Sequence, residues 1–295
     1  PKVCPDTGDL ISCTQRWDSP NYRVQVFDAK GRHKQTMEVE FPRKGIIHDL
    51  QITENYVVIF YAPTYHSVEK AMKGEDPFVW EGDLGTRIIA IPRDGSGNNI
   101  VFETESFFSW HFCNGFEAGG KIVIDYVWIN SIPFSQAQGT GVEKQPRRMY
   151  RMTLDLATRQ VTNEQFSDIF CEFSRVDERR MGKAYRLGYA TCSNREWGDA
   201  HGYNCTGSYN FQSGETALWE YGEEANAGEP VHVPNPDSER EEDGWLMCYV
   251  HNPGEGPFLS ILRAGDVAAG PVAKIHIPGR VPNGFHANWM QNLTL

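Results

Sequence analysis

A chain of 295 residues, 40% of them hydrophobic and 23% charged, has the composition of a soluble globular protein and not of a disordered one. Its formal net charge of −11 excludes attraction to nucleic acid or to an anionic membrane. No run approaches the roughly 18 consecutive apolar residues that a membrane span needs, and no leader-like segment opens the chain. Seven scattered cysteines without a CxxC pair read as reduced thiols, so a cytoplasmic protein is expected.

Strand-like runs follow one another along the chain. "YRVQVFD" (22–28), "QTMEVEF" (35–41), "YVVIFYA" (56–62), "RIIAIPR" (87–93) and "KIVIDYVWI" (121–129) come first. "RMYRMTLDL" (148–156), "AYRLGYA" (184–190), "GWLMCYV" (244–250), "FLSILRA" (258–264) and "VAKIHIP" (272–278) complete the set. Most are rich in β-branched or aromatic residues, several alternate apolar with polar, and Gly/Asp/Asn turns punctuate them. "SVEKAMKG" (67–74) is the one helical candidate, ended by Gly74. Residues 130–147 and 222–242 are polar and Pro/Gly-rich, and are read as long loops inside a single domain over 1–295. Short strands, tight turns and few helices predict an all-β sandwich, barrel or propeller, and no fixed-period repeat selects among these.

Of nine histidines, three share a setting: His48 in "GIIHDL", His111 in "FFSWHFCNGFE" and His286 in "NGFHANW". Aromatic or aliphatic residues precede each, so each is expected to point into buried or half-buried space. Two readings stand, a satisfied core histidine or histidines far apart in sequence converging on a metal such as iron, copper or zinc. The second requires carboxylates that take the other ring N–H. Glu172 in "FCEFSRVD" and Glu229 in "AGEPVHVP" are acids in apolar settings outside any charged run; the alternative for each is a loop carboxylate capping backbone amides. Asp49 is discounted as a catalytic partner of His48. The chain lacks a GxSxG elbow, a phosphate-binding GxxxxGK[ST] loop and an HExxH motif. A pair of carboxylates facing one another, as in a glycosidase, stays open, but nothing singles out a pair.

The motifs, in order, are "PKVCPDTGDL" (1–10), "IHDLQITENYVVIF" (47–60), "WHFCNGFE" (110–117), "EFSRVDERR" (172–180), "GEPVHVP" (228–234), "EEDGWLM" (241–247) and "GPVAKIHIPGRVPNGFHANW" (270–289). Over essentially its whole length the chain resembles the carotenoid cleavage oxygenases, which include the lignostilbene dioxygenases. The resemblance implies a seven-bladed β-propeller with four histidines around a non-haem Fe(II). His48, His111 and His286 fall on the second, third and fourth ligands, and Glu172 and Glu229 on glutamates that hydrogen-bond ligand histidines. The family's first ligand stands just before the Pro-Lys that opens this chain, which implies an incomplete propeller lacking its early blades. Gly115, Ser174, His232 and Ala287 depart from the usual residues without removing a ligand. The implied reaction is cleavage of a C=C double bond by O2 into two carbonyl products. The implied partners are O2 and a small hydrophobic substrate, a stilbenoid or an (apo)carotenoid; "MKGEDPFVWEGDLGTRIIAIPR" (72–93) lies nearest the stilbene-cleaving branch. Any peripheral membrane contact is assigned to the part upstream of Pro1. The alternative expectation is a catalytically inactive propeller fragment serving as a binding or structural module.

Overall fold

The computed structural model describes residues 1–16, 18–75, 77–132, 146–195, 202–282 and 284–290. Strands dominate them, as expected, and the one α-helix among them is Val68–Met72, capped by the Ser67 side chain on the amide of Lys70. These residues divide into two compact units, Pro1–Gln165 with Arg179–Ala184, and Phe166–Glu178 with Tyr185–Leu295.

The first unit opens with an antiparallel meander, Lys2–Val3, Leu10–Gln15, Tyr22–Phe27 and His33–Val39, each strand beside its chain neighbour. A second four-stranded sheet runs in the order Ile100–Thr104, Thr86–Pro92, Tyr56–Tyr61, Gln51–Ile52. Phe112–Ala118, Lys121–Ile129 and Arg147–Asp155 form a third antiparallel array. The second sheet is covered on both faces. Val57, Ile59, Tyr61, Ile89 and Ile91 pack with Val24, Val26, Met37 and Val39 of the first sheet. Val58, Phe60, Ile88 and Ala90 pack with Ile122, Ile124, Tyr126, Met152 and Leu154 of the third. Successive side chains of a strand point to opposite faces, so a strand buried on both sides reads as the unbroken run "YVVIFY" and not as an alternation. Tyr22–Phe27 has one covered face and does alternate in burial.

In the second unit, Leu187–Ser193, Cys205–Asn210 and Glu215–Glu220 pair in sequence order, and the strand ending at Val176 joins the edge of Leu187–Ser193. A further sheet is built from Trp245–Asn252, Gly256–Arg263 and Asp266–His276, with Asn226–Ala227 and Val231–Val233 on its edge. Its core joins Leu187 and Tyr189 to Leu246, Val250, Phe258 and Leu262.

Two expectations shift. The strand placed at 184–190 begins instead at Leu187, because the amides of Arg186 and Leu187 are taken by the Glu241 carboxylate at 2.9 and 2.8 Å. The stretch 222–242 is not wholly loop, since it carries the two short strands at Asn226–Ala227 and Val231–Val233. Of the loop expected at 130–147, residues 133–145 lie outside the described residues. All seven cysteines are free thiols. No helix among the described residues is long and apolar enough to cross a membrane.

Candidate metal centre

In the first unit, His48 stands just ahead of Gln51–Ile52 and His111 just ahead of Phe112–Ala118. Three polar rungs hold these segments side by side. Asp49 Oδ2 accepts the Phe112 amide at 3.0 Å. Gln51 Nε2 donates to Asn114 Oδ1 at 3.2 Å. Glu117 accepts the Thr53 hydroxyl at 2.6 Å and the Asn55 amide at 2.7 Å. Asn114 is fixed in turn by the Gly182 amide and the Arg180 carbonyl, both at 2.9 Å. Gln51, Thr53 and Asn114 are fully buried, where an unmade hydrogen bond is expensive and a made one fixes register.

Asp49 also accepts Lys2 Nζ at 3.0 Å and the Leu50 amide at 2.8 Å. Burial alone would raise its carboxyl, but the Lys2 ammonium and the Phe112 amide outweigh it and hold the group below the usual carboxylate range. Behind His111, Phe112 anchors the strand in an aromatic box, with Phe60 at 4.6 Å between ring centroids and Tyr126 beyond it. The outcome is a pair of imidazoles, His48 and His111, with ring centroids 5.3 Å apart and planes at 80°. Trp110 packs edge-on to His48 at 4.7 Å.

In the second unit, His286 follows an irregular stretch, and its Nδ1 lies 3.1 Å from Glu229 Oε1. The second oxygen of Glu229 accepts the Ala287 amide at 2.7 Å. An ionised carboxylate can only accept, so in the tautomer that makes this hydrogen bond a neutral imidazole has its proton on Nδ1 and a lone pair on Nε2. Glu229 thus accepts a backbone amide with one oxygen and meets a histidine ring nitrogen with the other. Glu172 is buried at a bulge in the strand Val161–Val176, and its Oε2 accepts the Phe173 amide at 2.7 Å. Phe173 has φ +52°, rare for a residue with a Cβ, and sets its ring 5.5 Å from that of His286 at 75°.

The structure thus pairs His48 with His111, and His286 with Glu229. It corrects the expectation that all three histidines are buried or half-buried: His111 is half-buried, whereas His48 and His286 are exposed. His48 meets Trp110 edge-on and His286 meets Glu229 through Nδ1, contacts that leave much of each ring uncovered. His232, the departure nearest Glu229, is buried in Val231–Val233 and stacks on Tyr189 at 5.6 Å. Sequence reasoning weighed Asp49 only as a catalytic partner of His48 and did not single out Arg175 or Phe173. The alternation of polar residues in "DLQIT" (49–53) is the signal for the rungs, and nothing local signals the other two.

An all-β chain that carries two imidazoles at strand ends, and a third on an irregular segment bonded to a buried glutamate, offers the nitrogen donors that a histidine-ligated metal takes. The chain belongs to the family described as retinal pigment epithelial membrane protein (RPE65), which includes carotenoid oxygenases and whose model matches residues 1–291. It is 29% identical to the isoeugenol monooxygenase of Pseudomonas nitroreducens, over 98% of this chain and 64% of that protein. It is 28% identical to the apocarotenoid-15,15'-oxygenase of Synechocystis sp., over 90% of this chain and 56% of that one. The lignostilbene dioxygenase of Pseudomonas brassicacearum superposes with a TM-score of 0.89 at 26% identity, covering 98% of this chain and 65% of the other. A cobalt-substituted Synechocystis oxygenase superposes at 0.86 and 26% identity, covering 95% and 60%. The chain therefore spans somewhat under two thirds of the length of these relatives.

Proposed function

We propose that the protein is an Fe(II)-dependent dioxygenase that cleaves a C=C double bond of a stilbenoid or apocarotenoid with O2, giving two carbonyl products. In this reading His48, His111 and His286 bind the iron through neutral imidazole nitrogen. Glu229, and Glu172 with it, keep ligand histidines in the tautomer and orientation that metal binding needs. The bound iron supplies activation of O2. The chain's own residues supply the rest: Asp49 and the Gln51–Asn114 rung set the spacing of two ligands, and the aromatic surface of Trp110 beside His48 offers an apolar, water-excluding wall. Both oxygen atoms of O2 end in the two carbonyls, so no separate acid or base is needed. The propeller architecture belongs to this reading too, since four-stranded antiparallel meanders are the unit from which propeller blades are built.

The observation that carries the proposal is the His286–Glu229 hydrogen bond, an arrangement metal-ligating histidines adopt almost universally. Support for the substrate class comes from the relatives, named for isoeugenol, lignostilbene and apocarotenoids. The test is metal analysis with turnover of a hydroxystilbene under 18O2. We expect about one iron per chain, lost in His48→Ala, and one labelled oxygen in each aldehyde. An iron-free protein that still turns over, or no iron and no turnover in the longest natural form, overturns the proposal; the latter result favours the binding-module alternative.

A further inference from the structure

The segment 284–290 that carries His286 has no regular structure, and Phe285, Trp289 and Met290 expose their side chains. A ligand on such a segment needs something to hold it. Consecutive residues of the segment are each tied to Glu229 or Arg175 of the second unit. His286 Nδ1 meets Glu229 Oε1 at 3.1 Å, and the Ala287 amide meets Glu229 Oε2 at 2.7 Å. Asn288 Oδ1 accepts Arg175 Nη2 at 3.0 Å. The two anchors touch one another, Arg175 Nη1 standing 3.4 Å from Glu229 Oε1. Arg175 sits at the end of the bulged stretch Glu172–Arg175, whose positive-φ Phe173 packs against the His286 ring.

We infer that Arg175 is a positioning residue: its guanidinium fork fastens the His286 segment by gripping Asn288 with one arm and Glu229 with the other. The planar fork is what the geometry demands. One nitrogen serves Glu229 while the other serves Asn288 and, at 2.7 Å, Glu178; a lysine ammonium is a single point that cannot reach all of them in the same way. The bulge, the strained Phe173 and the fork then form one clip that presents the imidazole edge of His286 in a fixed direction. This rests on the reading of His286 as a metal ligand. The clip itself exists without the metal and can be measured separately.

The test compares wild type with Arg175→Met, Arg175→Lys and Asn288→Ala. Hydrogen exchange of the Ala287 amide is followed in metal-free protein, and binding is followed by Co(II) titration of the visible absorption. Arg175→Met is expected to speed Ala287 exchange at least about tenfold and to weaken Co(II) binding about 10- to 100-fold, the usual scale for groups that orient ligands. Arg175→Lys should fall between, and Asn288→Ala should speed exchange. If wild type takes up Co(II) and Arg175→Met matches it in affinity and exchange, the inference is wrong while the metal reading survives. If wild type takes up no Co(II), the metal reading fails, and Ala287 exchange in the metal-free variants alone decides the clip. Should Arg175→Met not fold, Asn288→Ala decides, because unchanged Ala287 exchange there overturns the clip.

Discussion

Replacing Asp49 by alanine is the sharpest probe of how the first unit holds two histidines in register. The substitution strands three donors: the Phe112 amide, the Leu50 amide and the Lys2 ammonium. Both charged side chains are close to 15% exposed, so water reaches them only in part. Each stranded amide costs about 1–3 kcal/mol, and removing one partner of a buried ion pair costs about 3–5 kcal/mol. These overlap, and Lys2 can recover some hydration, so about 3–5 kcal/mol in all is expected. Asp49→Asn keeps one oxygen for the Phe112 amide and Lys2 but loses the charge and the acceptor of the Leu50 amide, so about 1–3 kcal/mol is expected for it. Urea unfolding with linear extrapolation measures both, and a fall in the midpoint at constant slope identifies a stability effect. In a unit of this size, 4 kcal/mol lowers Tm by about 8–16 °C. An alanine variant within 1 kcal/mol of wild type, or an asparagine variant as damaged as the alanine one, would refute the account.

Phe60→Ala empties the centre of an aromatic box formed with Phe107, Phe112 and Tyr126; about 3–5 kcal/mol of destabilisation is expected by calorimetry or urea unfolding. Glu229→Gln should weaken Co(II) binding about tenfold or more, with Ala287 exchange changed less than in Arg175→Met, because an amide oxygen still serves the backbone. Thiol chemistry should be selective. Burial pushes Cys192 up to about 12 and Cys205 up to about 11, so at pH 8 only about one Cys192 in ten thousand is thiolate. Burial works against Cys4 as well, but hydrogen bonds from Arg93, Thr7 and nearby amides pull it below the ordinary thiol value, and it lines a cavity of about 390 Å³. Iodoacetamide with peptide mapping should therefore modify Cys4 first. Cys192 should gain reactivity about tenfold per pH unit as pH rises, and equal labelling at pH 8 would contradict this.

Strands with a strong apolar signature were legible from the sequence. "YVVIFYA" and "KIVIDYVWI" fall on Tyr56–Tyr61 and Lys121–Ile129, because continuous β-branched and aromatic runs have few alternatives to a covered strand. Val161–Val176 was not legible, as its first half has no buried residue, is largely polar and is held by ladder hydrogen bonds that leave no mark on composition. Phe112–Ala118 hid behind its Asn and Gly, yet these are the features that work: Asn114 is a rung, and a Cβ on Gly115 would stand 2.8 Å from the Gln51 side chain and 3.2 Å from the Val123 carbonyl. At the candidate centre, local setting picked out His48, His111, His286, Glu172 and Glu229. The partnership of Glu229 with His286, 57 residues apart, and the placement of Arg175 depend on a bulge and a loop that close in space. Asp49 was judged by its neighbour His48 in sequence, whereas its carboxylate turns to the Phe112 amide instead.

A sheet walled in on both faces also has a consequence for how the protein tolerates change. In His33–Val39 the burial switches on and off along the strand, so roughly every second codon there is free to drift toward charge without disturbing a core. From Val57 to Tyr61 no position offers that freedom, since Val57, Val58 and Ile59 are completely enclosed and Phe60 and Tyr61 nearly so. A saturation library should therefore show a two-residue rhythm of permissive sites across the outer strand and a flat block of intolerance across the inner one. That inner strand leads back, through the turn at Thr53 and Tyr56, into the segment that carries His48.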